Sequence, residues 1–215
     1  MNQPANMEQK TVNDILIWIA QRGDDIQDAP EQVQRIQDRT FYYRKISSRE
    51  LETMLTVGAP RTVNMLDNKA FIYLPPIKKG NCIVPILCVE YDYATEMPEL
   101  TLRIALFLFD GENNLKAIGY RFETAHNRER HHYYHIQHIN KFDPSDESDR
   151  YKLPDTEWVP IEYPAFPIDA QNPIELLICL LVSLYDLTII KKFEGKIKTI
   201  IGSHVKRMKL SMFLT

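Results

Sequence analysis

Four segments rich in β-branched and aromatic residues succeed one another in the middle of this chain, at 83–93, 102–109, 115–123 and 131–139. The gaps between them are five to eight residues long. A parallel neighbour needs a crossover of a dozen residues or more, so gaps this short dictate an antiparallel meander. The run DGENN at 110–114 has the turn chemistry of a hairpin. A doubly wound dinucleotide fold is thereby disfavoured, and the chain has no glycine-rich fingerprint to argue for one.

Helix signals stand on both sides of this block. Thr11 followed by Asp14 predicts a capped helix through Ile15, Leu16, Trp18 and Ile19 that ends near Gly23, with residues 1–10 as a flexible lead. A weaker helix is expected from Pro30, through Val33 and Ile36. Ser47 and Glu50 have the spacing of a capping box ahead of Leu51, Met54 and Leu55, and another helical turn is expected at 61–67. FIYLPP reads as a strand stopped by Pro75 and Pro76, with KKGN as the turn behind it. Asn172, Pro173 and Glu175 are three agreeing helix-start signals before the apolar run 174–190. Residues 191–215 read as a basic amphipathic tail, softened at Gly202. The expected architecture over 1–215 is a single α+β domain, a central antiparallel β-meander flanked by N-terminal and C-terminal helices.

Charge is divided unevenly along the chain. The formal net charge is -3, which gives no overall electrostatic case for nucleic acid. From Lys191 onward, however, seven bases face one acid, Glu194, so the tail carries +6 and the preceding 190 residues carry -9. Lys206, Arg207 and Lys209 are the tail bases expected to meet an anionic partner. The segment 142–173 is an acidic excursion; its part 142–170 has eight acids against two bases, with Trp158, Tyr163 and Phe166 as aromatic anchors. A loop of this length is commonly a binding surface or a lid. The plainer reading of both segments is charge facing water.

The three cysteines, Cys82, Cys88 and Cys179, are scattered among apolar neighbours without a CxxC pair, which points to free thiols and a cytoplasmic setting. The first residues lack the cationic and apolar regions of a secretory signal. The run 174–190 is slightly short for a bilayer and contains Glu175 and Asp186, so a buried helix is expected and membrane insertion is not.

Five of the six histidines fall at 126, 131, 132, 135 and 138. In a strand His131, Tyr133, His135 and Gln137 share one face, and His132, Tyr134, Ile136 and His138 the other. Arg121 and Glu123 alternate together on the preceding strand. If register aligns them with His131 and His135, Arg121 can hold an anion while an imidazole works as acid or base on a phosphate ester. Glu90 and Asp92 can join as orienting carboxylates, depending on sheet order. Two histidines with Glu123 would also make a donor set for zinc, but without HExxH spacing, and no metal or cofactor is expected. Histidine and tyrosine on a sheet also pair across strands for structural reasons alone.

Other catalytic signatures are weak. No serine sits in a glycine-flanked elbow, Cys88 belongs to an apolar strand, and GxxxxGK is absent. Phe41, Tyr42 and Tyr43 beside Arg44 and Lys45 offer stacking and charge for nucleic acid, which the acidic body opposes. The leading expectation is a noncatalytic protein-interaction or regulatory subunit of a larger assembly, with a protein partner or self-association. The alternative is a histidine-dependent phosphodiesterase or nuclease using His131, His135, Arg121 and Glu123.

Overall fold

The structure, a computed structural model, describes residues 3–24, 44–56, 62–65, 70–79, 81–93, 98–109, 112, 114–124, 134–139, 156–158, 166–168, 170 and 172–185. The expected helix from Pro30, His131, Tyr163 and the tail 191–215 with Lys206, Arg207 and Lys209 lie outside these residues, as do the side chains of Trp158 and Phe166.

The centre is the antiparallel meander that the short gaps require. Strands β5 (Asn81–Asp92), β6 (Glu99–Phe109), β7 (Leu115–Glu123) and β8 (His135–Ile139) pair in that order, each antiparallel to the last. Shorter strands extend the sheet. β1 (Arg44–Lys45) pairs in parallel with β3 (Ala70–Tyr73), which with β2 (Thr62–Asn64) and β4 (Ile77–Lys79) pairs antiparallel to β5. Beyond β7, β9 (Thr156–Trp158) runs parallel to its first residues, and β10 (Phe166–Pro167) pairs antiparallel with β8. The excursion thus contributes two short strands to the sheet. At the end of the β6–β7 ladder the buried Thr124 closes the pair, its N–H donating to Leu100 O and its hydroxyl accepting from Leu100 N.

Helix α1 (Gln3–Asp24) starts inside the segment read as a lead, so Thr11 is an interior position and not a cap. It buries Val12, Ile15, Leu16 and Ile19 at helical spacing, with Arg22 5.8 Å over the Trp18 ring. Helix α2 (Ser48–Thr56) has the expected capping box: Ser47 Oγ accepts from Glu50 N at 3.2 Å, and Glu50 Oε2 accepts from Ser47 N at 3.0 Å. Residues 62–64 form β2 where a helical turn was expected. Val63 is buried opposite Tyr91, and this long-range pairing overrides a weak local preference.

Helix α3 (Pro173–Leu184) begins at the cap read from sequence, with Asn172 Oδ1 accepting from Glu175 N at 2.9 Å. Its buried residues are Pro173, Ile174, Leu176, Leu177, Ile178, Leu180 and Leu181, which accounts for an apolar run without a polar face. α3 packs on α1, β6 and β7, while α1 packs on α2 and β3, so one core joins α1 and α3 to the sheet. Tyr185 then donates its hydroxyl to Pro75 O at 3.0 Å. Among the described residues no helix is long and apolar enough to cross a membrane.

Candidate functional site

Residues directly opposite in an antiparallel pair point to the same face, so register alone places the charged side chains. Glu90, Thr101, Glu123 and His135 are successive partners across β5, β6, β7 and β8, and Asn64 of β2 extends the row. The adjacent row is Cys88, Arg103, Arg121 and Gln137. Sheet order thereby brings Glu90 to the same face as Arg121, Glu123 and His135. Arg103, which sequence reasoning passed over, stands between them.

Glu123 is the hub. Its Oε2 lies 3.1 Å from His135 Nε2 and its Oε1 lies 2.9 Å from Arg121 Nε. The second approach is a charge contact, because the Nε–H is not aimed at the oxygen and has no acceptor along its axis. Arg121 Nη2 donates to Gln137 Oε1 at 2.6 Å. Arg103 Nη1 donates to Glu90 Oε2 at 3.0 Å, while its Nε is buried without an acceptor. Two guanidiniums at directly opposed positions repel, and the flanking carboxylates offset that repulsion.

Burial decides what this row can do. The side chains of His135 and Glu123 are 5% and 10% exposed, Arg103 9% and Arg121 20%; Glu90 at 40% is the open end. A carboxylate taken out of water must be paired, and Glu123 spends both oxygens on neighbours in the sheet. Three of the four residues assigned to the hydrolytic reading, Arg121, Glu123 and His135, therefore do converge. They converge as a largely buried cluster paired within itself, in which the Nε of Arg121 is left without an acceptor. Among the described residues no three His, Cys, Asp or Glu side chains group to hold a metal ion.

The opposite face carries the helices. Tyr134 on this face has its hydroxyl pushed up to about 12 by burial, then by the carboxylates of Glu8 on α1 and Glu175 on α3. Burial and Glu8 also raise Tyr91, which places α1 over that end of the sheet. Beyond the helices the same face presents Leu106, Leu108, Ile118, Tyr120, Ile136 and His138, all half-buried. Leu106 is opposite Ile118, and Tyr120 is opposite His138 with ring centroids 5.3 Å apart. The aliphatic members of this patch were legible as strand residues, but their shared half-burial depends on tertiary packing, with Leu106, Tyr120 and Ile136 lying against the core.

Fold and site together define an α+β protein whose central meander has a paired ionic row on one face and a half-buried apolar patch on the other. Neither a protein-family model, nor a curated protein, nor a solved structure matches the chain.

Proposed function

We propose that this chain is a noncatalytic interaction or regulatory subunit, and that a protein surface, another chain or a second copy, covers the apolar patch on β6, β7 and β8. The observation that carries the reading is the patch itself: five apolar side chains and His138, half-buried side by side on three adjacent strands. Isolated exposed leucines are ordinary, but contiguous apolar surface on a sheet face favours a partner. The ionic row adds support, because its acid and base are consumed by one another. Cys88 and Cys179 are in no disulfide, which suits a reducing, cytoplasmic compartment.

The test is light scattering of the full-length protein across a concentration range, beside Ile118→Lys. A mass above the 25.2 kDa of one chain that falls to one chain in the variant supports self-association. A second arm measures turnover of a simple phosphodiester and of single-stranded RNA. Turnover that His135→Ala abolishes while the fold is retained overturns the noncatalytic assignment.

That second arm addresses the alternative, a histidine-dependent phosphodiesterase or nuclease. It is favoured by the convergence of Arg121, Glu123 and His135 within contact distance, and opposed by their burial. Nucleic acid as a partner rests on the basic tail and on the aromatics Phe41, Tyr42 and Tyr43 beside Arg44 and Lys45; binding that weakens with salt and with neutralisation of Lys206, Arg207 and Lys209 would support it.

A further inference from the structure

His135 and His138 stand three residues apart on β8 and face opposite ways. His135 has a carboxylate at 3.1 Å. His138 makes a T-shaped contact with the Tyr120 ring, centroids 5.3 Å apart and planes at 72°, and neither its Nδ1 nor its Nε2 has a hydrogen-bond partner or solvent contact. The residue as a whole is half-buried, so what reaches water is the carbon edge of the ring, with both nitrogens turned inward. Among the described residues, the titratable groups on this face are Tyr120 and Lys116 of β7, Tyr134 beside β8, Tyr91 of β5 and Tyr93 just after it, whose ring lies 5.7 Å from that of Tyr91; β6 presents leucine and isoleucine. Glu8 and Glu175 approach from α1 and α3 at Tyr134.

An imidazolium has two N–H donors, and burying either one unpaired is costly. The observed placement therefore suits only the neutral ring, and burial accordingly holds this histidine below its ordinary value of 6.5. We propose that His138 is an acid-sensitive latch on the β7–β8 pair: neutral, it closes against Tyr120; protonated, it leaves that position to be hydrated and loosens the end of the pairing at Gly119 and Tyr120. Among the described residues, His138 and Ile139 are opposed there by those two residues alone, at the last rungs of the ladder. The latch requires no partner for the apolar patch and stands apart from the functional reading above.

The experiment uses the full-length protein and two readouts between pH 8 and 4.5. Proton NMR follows the His138 ring, assigned by its loss in His138→Gln, and amide hydrogen exchange follows Tyr120 and His138 after correction for the intrinsic pH dependence. The latch predicts a ring midpoint below 6.5, and opening that rises by up to about tenfold per pH unit between 6.5 and that midpoint. The rise is absent in His138→Phe, which keeps the ring contact without the proton. A midpoint at or above 6.5 sinks the proposal, as does corrected exchange that stays flat over that interval, and neither result needs the variant to fold. An equal rise in His138→Phe overturns it as well.

Discussion

Glu123 and Glu90 are both carboxylates paired to arginine on one sheet face, yet their surroundings make them energetically unlike. Removing Glu123 strands Arg121 and His135 in the interior, whereas removing Arg103 leaves a Glu90 that is 40% exposed and can be hydrated. Glu123→Ala is expected to destabilise the fold by about 3 kcal/mol. Arg103→Met, which keeps the aliphatic stem, should cost less than about 1 kcal/mol. Urea unfolding at pH 7 distinguishes them, and equal losses would remove the distinction. Glu8 offers a pH test. Burial raises its carboxyl above 4.5, and its Oε1 is buried without a partner. The unfolded chain therefore ionises first, and the fold carries a penalty that grows above about pH 4.5 and levels off past the folded midpoint. Glu8→Gln is accordingly expected to be more stable than the parent at pH 7, with the difference vanishing at pH 4; a variant less stable at both would contradict this. At this scale Arg121, Glu123 and His135 were legible, since alternation fixes which side chains share a face. Arg103 carried the same parity signal inside the apolar run LTLRIALF, but its place between Glu90 and Arg121 depends on sheet order, a long-range property.

Elements were most legible where local chemistry fixes them. The Ser47–Glu50 box and the Asn172–Pro173–Glu175 start both satisfy helix N–H groups within one turn, so nothing distant needs to be known. Asn172→Ala should cost about 1 kcal/mol in urea unfolding, while Asn172→Asp should retain most of the stability. A negligible loss in the alanine variant would mean that burial alone holds α3. The start of α1 was misplaced because Thr11 and Asp14 can equally occupy helix interior: the helix begins at Gln3, and Thr11 is itself buried within it. Likewise 62–64 pairs with β5 although nothing in those residues announces a strand. Both outcomes are decided by tertiary burial, which acts over distances that periodicity does not register.

For the whole molecule, the succession of strands and the lengths of the gaps were enough to give the meander, and the caps were enough to put helices at either end of it. What the sheet's two faces would each do was not legible, because burial on each face depends on tertiary packing. The half-buried patch on β6, β7 and β8 predicts that Ile118→Lys lowers the concentration-dependent mass without loss of secondary structure, checked by light scattering with circular dichroism. Unchanged mass in a protein that does self-associate would move the contact elsewhere. The ionic row has a separate consequence for how the chain finds its pairing. If β8 slid by one residue, Glu123 would face Ile136 or Tyr134 in place of His135, Arg121 would lose Gln137, and the imidazole of His138 would turn toward the arginines. Apolar strands such as these can tolerate several alignments at similar energy. The row acts as a ruler whose single graduation is the native one, so substitutions along it should change first the fidelity of assembly of the sheet, and only then its strength.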